Sequence, residues 1–159
     1  MLLTLDNFEH LLAGASLASD LLAACPNLKI LVTSRAPLRV LGEQTFDVSP
    51  LALPDPQHLP PAAELSCFPA VDLFVQRARA VKPAFSLTPA NAPAVAAICH
   101  RLDGLPLALE LAAARVRAFT PQTMAAYLDH HIGAALRFLT AAPRDLPPRQ
   151  QTLRHAIDW

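Results

Sequence analysis

Apolar and polar positions follow two different rhythms along this chain, and the change between them falls in a proline-rich stretch. Met1-Leu2-Leu3-Thr4-Leu5 is short, nearly all apolar and halted by Asp6-Asn7, the pattern of a strand buried on both faces. From about Phe8 to Ala24, Leu11, Leu12, Ala15, Ala18, Leu21 and Leu22 recur at spacings of three and four, which predicts a helix that Pro26 ends from just beyond. Leu28-Lys29-Ile30-Leu31-Val32-Thr33 predicts a second strand, delivering Ser34 and Arg35 at its carboxyl end before Pro37 prevents continuation. Alternation over Thr45-Phe46-Asp47-Val48 predicts a third, more exposed strand. Strand, helix and strand in this order predict a parallel sheet with helices packed on it.

Between Pro50 and Pro61 the chain carries five prolines and no periodicity, so it reads as a connection. Beyond it the pattern is helical. Val71, Phe74, Val75 and Ala78 make one stripe. Thr88-Pro89 supplies an N-cap and a first-turn proline for a helix to about Leu102, and Gly104 stands where a left-handed C-terminal cap belongs. Pro106 opens a helix whose sequence PLALELAAARVRAF is apolar around most of its circumference, hence buried. Thr120-Pro121 repeats the capping signal for a helix through about His130, and a last helix is predicted from Pro148 to Trp159.

Composition narrows the function. Across 159 residues, 13 basic side chains balance 13 acidic ones, which excludes a dedicated polyanion binder as the default reading. No apolar run approaches the roughly 20 residues of a membrane-spanning helix, and Asp6 and Glu9 break the apolar start, so neither signal peptide nor span is expected. Cys25, Cys67 and Cys99 are odd in number and far apart, fitting a reducing cytoplasm better than a disulfide framework. His130-His131 and Cys99-His100 are adjacent pairs, not the spacings of a zinc site.

Three features could carry chemistry, each with a structural alternative. Asp6 puts a carboxylate at the carboxyl edge of a parallel strand, where such sheets bind ligands and where an acid can hold Mg²⁺ through water against phosphates; as an alternative it caps the following helix, which Asn7 could do equally well. Glu9 is a second acid that could polarise a water or simply complement a helix dipole. Arg35 could present a permanently charged fork at the same edge, or be a solvated loop residue. Gly104-Leu105-Pro106 makes a tight helix-to-helix turn able to offer an apolar surface to an adenine ring, or only a helix corner.

Read together, the blocks LLTLDNFEHLL at 2–12, LKILVTSRAPL at 28–38, FDVSPLALP at 46–54, VDLFVQRARAVKPAF at 71–85, ICHRLDGLPLALELAAARVR at 98–117 and RDLPPRQQTLRHAIDW at 144–159 resemble the signal-transduction ATPases with numerous domains. This is the STAND class, which includes NB-ARC modules and many bacterial LuxR-type and AfsR-like regulators. The resemblance spans essentially the whole chain and implies an α/β segment followed by an all-α one: a partial P-loop sheet of about three parallel strands, a helical domain and the start of a winged helix. It implies that 1–54 is the C-terminal part of the ATPase α/β domain, 55–67 a connection, 68–140 the helical domain and 141–159 the winged-helix entry. LLTLDN corresponds to the Walker B strand, implying Asp6 as the Mg²⁺-linked acid. TSR corresponds to the sensor 1 element, implying that Arg35 faces the terminal phosphate. GLPLA corresponds to the motif that contacts adenine, implying Pro106 against the ring with Gly104 and Leu105 shaping the turn.

Departures from the family pattern set what is expected of these residues. The four glycines are Gly14, Gly42, Gly104 and Gly133, neither Lys29 nor Lys82 follows a glycine, and no GxxxxGK followed by Ser or Thr occurs. The backbone nest and lysine that cradle phosphates are therefore missing from these residues. Met1 begins almost on the Walker B strand, so the resemblance implies a module lacking its front and an open strand edge beside Leu28–Thr33. The expected function is that of a fragment of an ADP/ATP-controlled signalling switch in transcriptional regulation. Little nucleotide binding is expected on its own, with ADP or ATP and Mg²⁺ as cofactors of the intact family. Protein partners or the remaining domains of a larger regulator are expected, with DNA contacted only through other domains. The rival reading is a helical interaction fragment that pairs with another chain and does no nucleotide chemistry.

Overall fold

The computed structural model describes residues 1–130. They form a mixed α/β structure that is mostly helical, divided into two compact units, Met1–Val48 and a second beginning at Ser49. The final helix and the winged-helix entry expected from the sequence lie outside the described residues.

In the first unit β1 (Leu2–Leu5) and β2 (Lys29–Val32) pair in parallel, with Leu2 opposite Lys29 and Leu5 opposite Val32. The intervening 3₁₀ segment Phe8–Gly14 and helix α1 (Ala15–Ala24) make the crossover. One continuous helix was expected here. The chain instead changes pitch around Leu11, whose φ of −123° is not helical, and becomes α-helical only after Gly14. Phe8, Ala15, Ala18 and Leu28 are buried, whereas Leu2 is 62% and Leu31 56% exposed. Leu3 and Leu5 in β1, and Ile30 and Val32 in β2, are half-buried and alternate with exposed positions, so β1 is covered in part on one face where burial on both was expected. The expected third strand is absent among the described residues: Thr45–Val48 joins no sheet, and Phe46 and Val48 are 89% and 88% exposed. An alternating segment becomes a strand only where a neighbour accepts its backbone hydrogen bonds and covers its apolar side chains. The sheet accordingly has two strands where about three were expected.

The second unit is helical: α2 (Ala62–Leu65), α3 (Pro69–Val81), α4 (Ala92–Arg101), α5 (Pro106–Ala113), a 3₁₀ turn at Ala114–Arg117, and α6 (Pro121–His130). The stripe Val71, Phe74, Val75 and Ala78 faces inward as its spacing predicts. It joins Leu65, Val95, Ile98, Leu109, Val116 and Met124 in a core, with Phe85 edge-on to Phe74 at a centroid distance of 6.3 Å. No polar or charged residue among those described is buried. Helix α3 packs on α5 and α4 on α6, and each pair also carries a surface ion pair, Arg77–Glu110 and Arg101–Asp129. Burial pushes the Cys99 thiol up to about 12, so it serves as a small apolar side chain. No helix among the described residues is long and apolar enough to cross a membrane.

Capping departs from expectation at the start of α4. Helix α4 begins at Ala92, after Asn91, not at Thr88-Pro89. Asn91 Oδ1 accepts the Thr88 N–H at 2.8 Å and Asn91 Nδ2 donates to the Ser86 carbonyl, so Thr88–Asn91 closes as a turn before the helix. At α6 the expected cap is present: Thr120 Oγ1 accepts the Thr123 N–H at 3.2 Å.

The end of α4 sets up the turn into α5. Asp103 N–H donates to the His100 carbonyl and Gly104 N–H to that of Cys99, the reciprocal pair of a Schellman motif. Asp103 (φ 51°) occupies the left-handed cap position, and Gly104 (φ 64°) follows with a second positive φ. Gly104 carries a further constraint, because a Cβ there would stand 2.3 Å from the Leu51 carbonyl oxygen. Its own carbonyl accepts the Leu51 N–H at 3.0 Å. Gly104→Ala is therefore expected to destabilise the helical unit by at least about 1–2 kcal/mol from the left-handed backbone alone, with displacement of Leu51 adding to it. Urea unfolding followed by helical circular dichroism measures this, and an unchanged midpoint would contradict the close approach.

Candidate functional site

Strand register decides what meets at the first unit's carboxyl edge. The β1–β2 pairing runs one step beyond the strands, with the Thr33 N–H donating to the Leu5 carbonyl at 2.9 Å and the Phe8 N–H to that of Thr33 at 2.9 Å. Asp6 and Thr33 are thus set side by side. The Thr33 hydroxyl donates to Asp6 Oδ1, and Thr33 Oγ1 accepts the Asn7 N–H at 3.0 Å. Asn7 turns the chain through the left-handed region (φ 57°), and no side-chain hydrogen bond from it caps the following 3₁₀ segment. This turn brings Glu9 under the loop after β2, where Arg35 Nε donates to Glu9 Oε1 at 2.8 Å.

Both candidates predicted for this edge, Asp6 and Arg35, stand at one end of the sheet, with Thr33 and Glu9 as their partners. Glu9 is neither merely a complement to a helix dipole nor aimed at solvent: its side chain is 14% exposed, against 63% for Arg35. Its own backbone N–H and then the Arg35 guanidinium hold the Glu9 carboxyl below the usual carboxylate range. Neither partnership was legible in the sequence, because each joins residues more than twenty positions apart and needs the register.

In the second unit Gly104, Leu105 and Pro106 form the α4–α5 turn. Gly104 is buried against Leu51, while Leu105 and Pro106 are exposed, with Pro106 in the first turn of α5. The turn therefore presents an apolar, backbone-rigid surface. The segment following the first unit lies along it: beside the Leu51 contact, the Ala70 N–H donates to the Ala52 carbonyl, and His100 Nε2 hydrogen-bonds the Pro54 carbonyl. No sequence signal marks Leu51 or Pro54 for this place.

The donor set bears on which metal could act here. Among the described residues no group of three or more His, Cys, Asp or Glu side chains could hold a metal ion. A single carboxylate at a sheet edge fits Mg²⁺ held mainly by phosphates and water, and does not fit an all-protein cage.

Over its whole length the chain is 46% identical, across 160 residues, to a protein of Mycobacterium tuberculosis and one of Mycobacterium bovis, each named "Putative HTH-type transcriptional regulator". It is 38% identical across 160 residues to an uncharacterized protein of Mycobacterium tuberculosis. The chain spans 16% of the length of the first two relatives and 36% of the third. No family model matches it. No solved structure matches it.

The Arg35–Glu9 pair yields a signed pH dependence. Because the Glu9 carboxyl is lowered from its ordinary 4.5, the stabilisation is fully present above that value and is lost as pH falls through the lower folded value. Carbon-detected titration of the Glu9 carboxyl is expected to show a midpoint below 4.5 that rises in Arg35→Ala. A midpoint at or above 4.5 in the unaltered chain would contradict the pairing.

Proposed function

We propose that this chain is a segment of a nucleotide-controlled regulatory ATPase module of the STAND class, working inside a transcriptional regulator. The observation that carries the reading is the contact of Asp6 with Thr33, and the pairing of Arg35 with Glu9, at the carboxyl end of two parallel strands in register. Open parallel sheets bind ligands at that edge. The relatives named as HTH-type transcriptional regulators support the regulatory setting.

Each residue then has a task suited to its surroundings. The Thr33 hydroxyl donates to Asp6 Oδ1 and so fixes the carboxylate's orientation at the strand end. Asp6 supplies negative charge for a Mg²⁺ held chiefly by nucleotide phosphates, the chemistry such an ion brings being neutralisation of phosphate charge. Arg35 offers a guanidinium fork that matches phosphate oxygens in shape. In the second unit, taken by itself, Leu105 and Pro106 offer an apolar surface that suits an adenine ring, with Gly104 setting the angle of the turn. Input, output and DNA contact belong to other domains of such a regulator.

These 159 residues hold no glycine-rich lysine loop, so the isolated polypeptide presents part of a nucleotide site. Titration of the isotopically labelled chain with ADP and Mg²⁺ is expected to shift amide signals of Asp6–Phe8, Thr33–Arg35 and Leu105–Leu107. The expected dissociation constant is about 1 mM or weaker, at most about 4 kcal/mol of binding. Micromolar binding would overturn the partial-site argument, and the absence of any shift at these positions would overturn the nucleotide reading. A second reading, an interaction fragment that pairs with another chain, is favoured by the exposure of Leu2 and Leu31 on the sheet. It expects the same sample to self-associate in sedimentation velocity whether or not ADP is present.

A further inference from the structure

The Glu9–Arg35 pair is strongly asymmetric. Glu9 is largely enclosed at 14% side-chain exposure, its Oε1 accepts from Arg35 Nε at 2.8 Å, and Arg35 itself is 63% exposed. Glu9 Oε2 is also enclosed and takes no hydrogen bond among the described residues. An enclosed carboxylate oxygen without a donor is costly and offsets part of what the pairing with Arg35 contributes. What Glu9 does supply is an anchor. An exposed arginine has large rotamer freedom, all of which must be given up to meet a ligand. A carboxylate fixed by the turn at Asn7 and engaging the Nε edge of the guanidinium removes much of that freedom beforehand, at the strand end where Asp6 and Thr33 meet.

We infer that Glu9 is a positioning residue, holding the Arg35 guanidinium at the carboxyl edge of β1 and β2 for contact with a diphosphate group. The inference rests on the nucleotide reading above and adds to it a residue that acts through Arg35. Its alternative is a latch, in which Glu9 competes with the anion for Arg35 and must be displaced. The two differ in sign: removing the charge of a positioning residue weakens anion binding, and removing that of a latch strengthens it.

The test uses the full 159-residue chain, with inorganic pyrophosphate as the probe and the Arg35 Nε–Hε signal in ¹⁵N spectra as the readout. In the unaltered chain that proton is expected to be slow to exchange and to move on addition of pyrophosphate. Glu9→Gln is expected to speed its exchange and to weaken pyrophosphate binding about fivefold, through lost preorganisation. The amide signals of Leu5 and Thr33 are expected to stay in place, reporting an intact sheet. Arg35→Lys, which leaves Glu9 unaltered, is expected to weaken binding comparably, and adding Glu9→Gln to it to weaken binding no further. Equal or tighter binding in Glu9→Gln, or an unchanged Arg35 signal, overturns the positioning role while leaving the nucleotide reading standing. No response of the unaltered chain to either pyrophosphate or ADP overturns the nucleotide reading and the inference together.

Discussion

The candidate site rests on one pairing of backbone groups: the parallel ladder from Leu2 opposite Lys29 to Leu5 opposite Val32, extended by the hydrogen bond from Thr33 N–H to the Leu5 carbonyl. Side chains alternate along a strand, so a slip of one residue would send Thr33 to the other face and separate it from Asp6. With the register as it is, the Asp6 carboxylate and the Thr33 hydroxyl arrive together from segments far apart in the chain. The same ladder carries the Asn7 turn, which delivers Glu9 to Arg35. The grouping of polar side chains at this edge thus follows from strand pairing, at the end of parallel strands where such sheets bind ligands.

The helical unit solves a different problem. Its core is wholly apolar, and its most demanding position is Gly104, where Leu51 approaches closer than any side chain would permit. That approach explains why a glycine stands one residue beyond the left-handed cap, which Asp103 already fills. The turn leaves Leu105 and Pro106 on the surface while Ala108 and Leu109 are buried behind them. A rigid apolar surface backed by a packed core suits recognition of a flat ring better than a mobile loop does, because little conformational freedom remains to be lost.

Local signals in the sequence were sufficient where local forces decide. Apolar runs halted by Asp6 and Ser34 mark β1 and β2, the stripe from Val71 to Ala78 marks α3, and Thr120 marks the start of α6. They misled where two structures share one pattern. Spacings of three and four fit a 3₁₀ turn as well as an α-helix, so the change of pitch near Leu11 left no trace in the periodicity. Thr88-Pro89 and Asn91-Ala92-Pro93 are both plausible helix starts, and the Asn91 side chain decides between them by closing a turn. Alternation at Thr45–Val48 is strand-like, but an alternating segment cannot supply its own neighbour. The places of Asp6, Arg35 and Pro106 in the chain were legible because each lies where an element ends or begins. Thr33 and Glu9 took their roles only from long-range pairing, and Leu51 only from its fit to Gly104.

The central claim is the proposal that phosphate and metal chemistry belongs to the strand ends that bear Asp6 and Arg35. Substituting Mn²⁺ for Mg²⁺ with ADP tests it most directly, because the unpaired electrons broaden nuclear signals only near the ion. The account predicts that the amide signals of Asp6, Asn7 and Thr33 broaden first as Mn²⁺·ADP is added, and that Asp6→Asn weakens the effect. Broadening centred elsewhere, with those three signals left sharp, would contradict it.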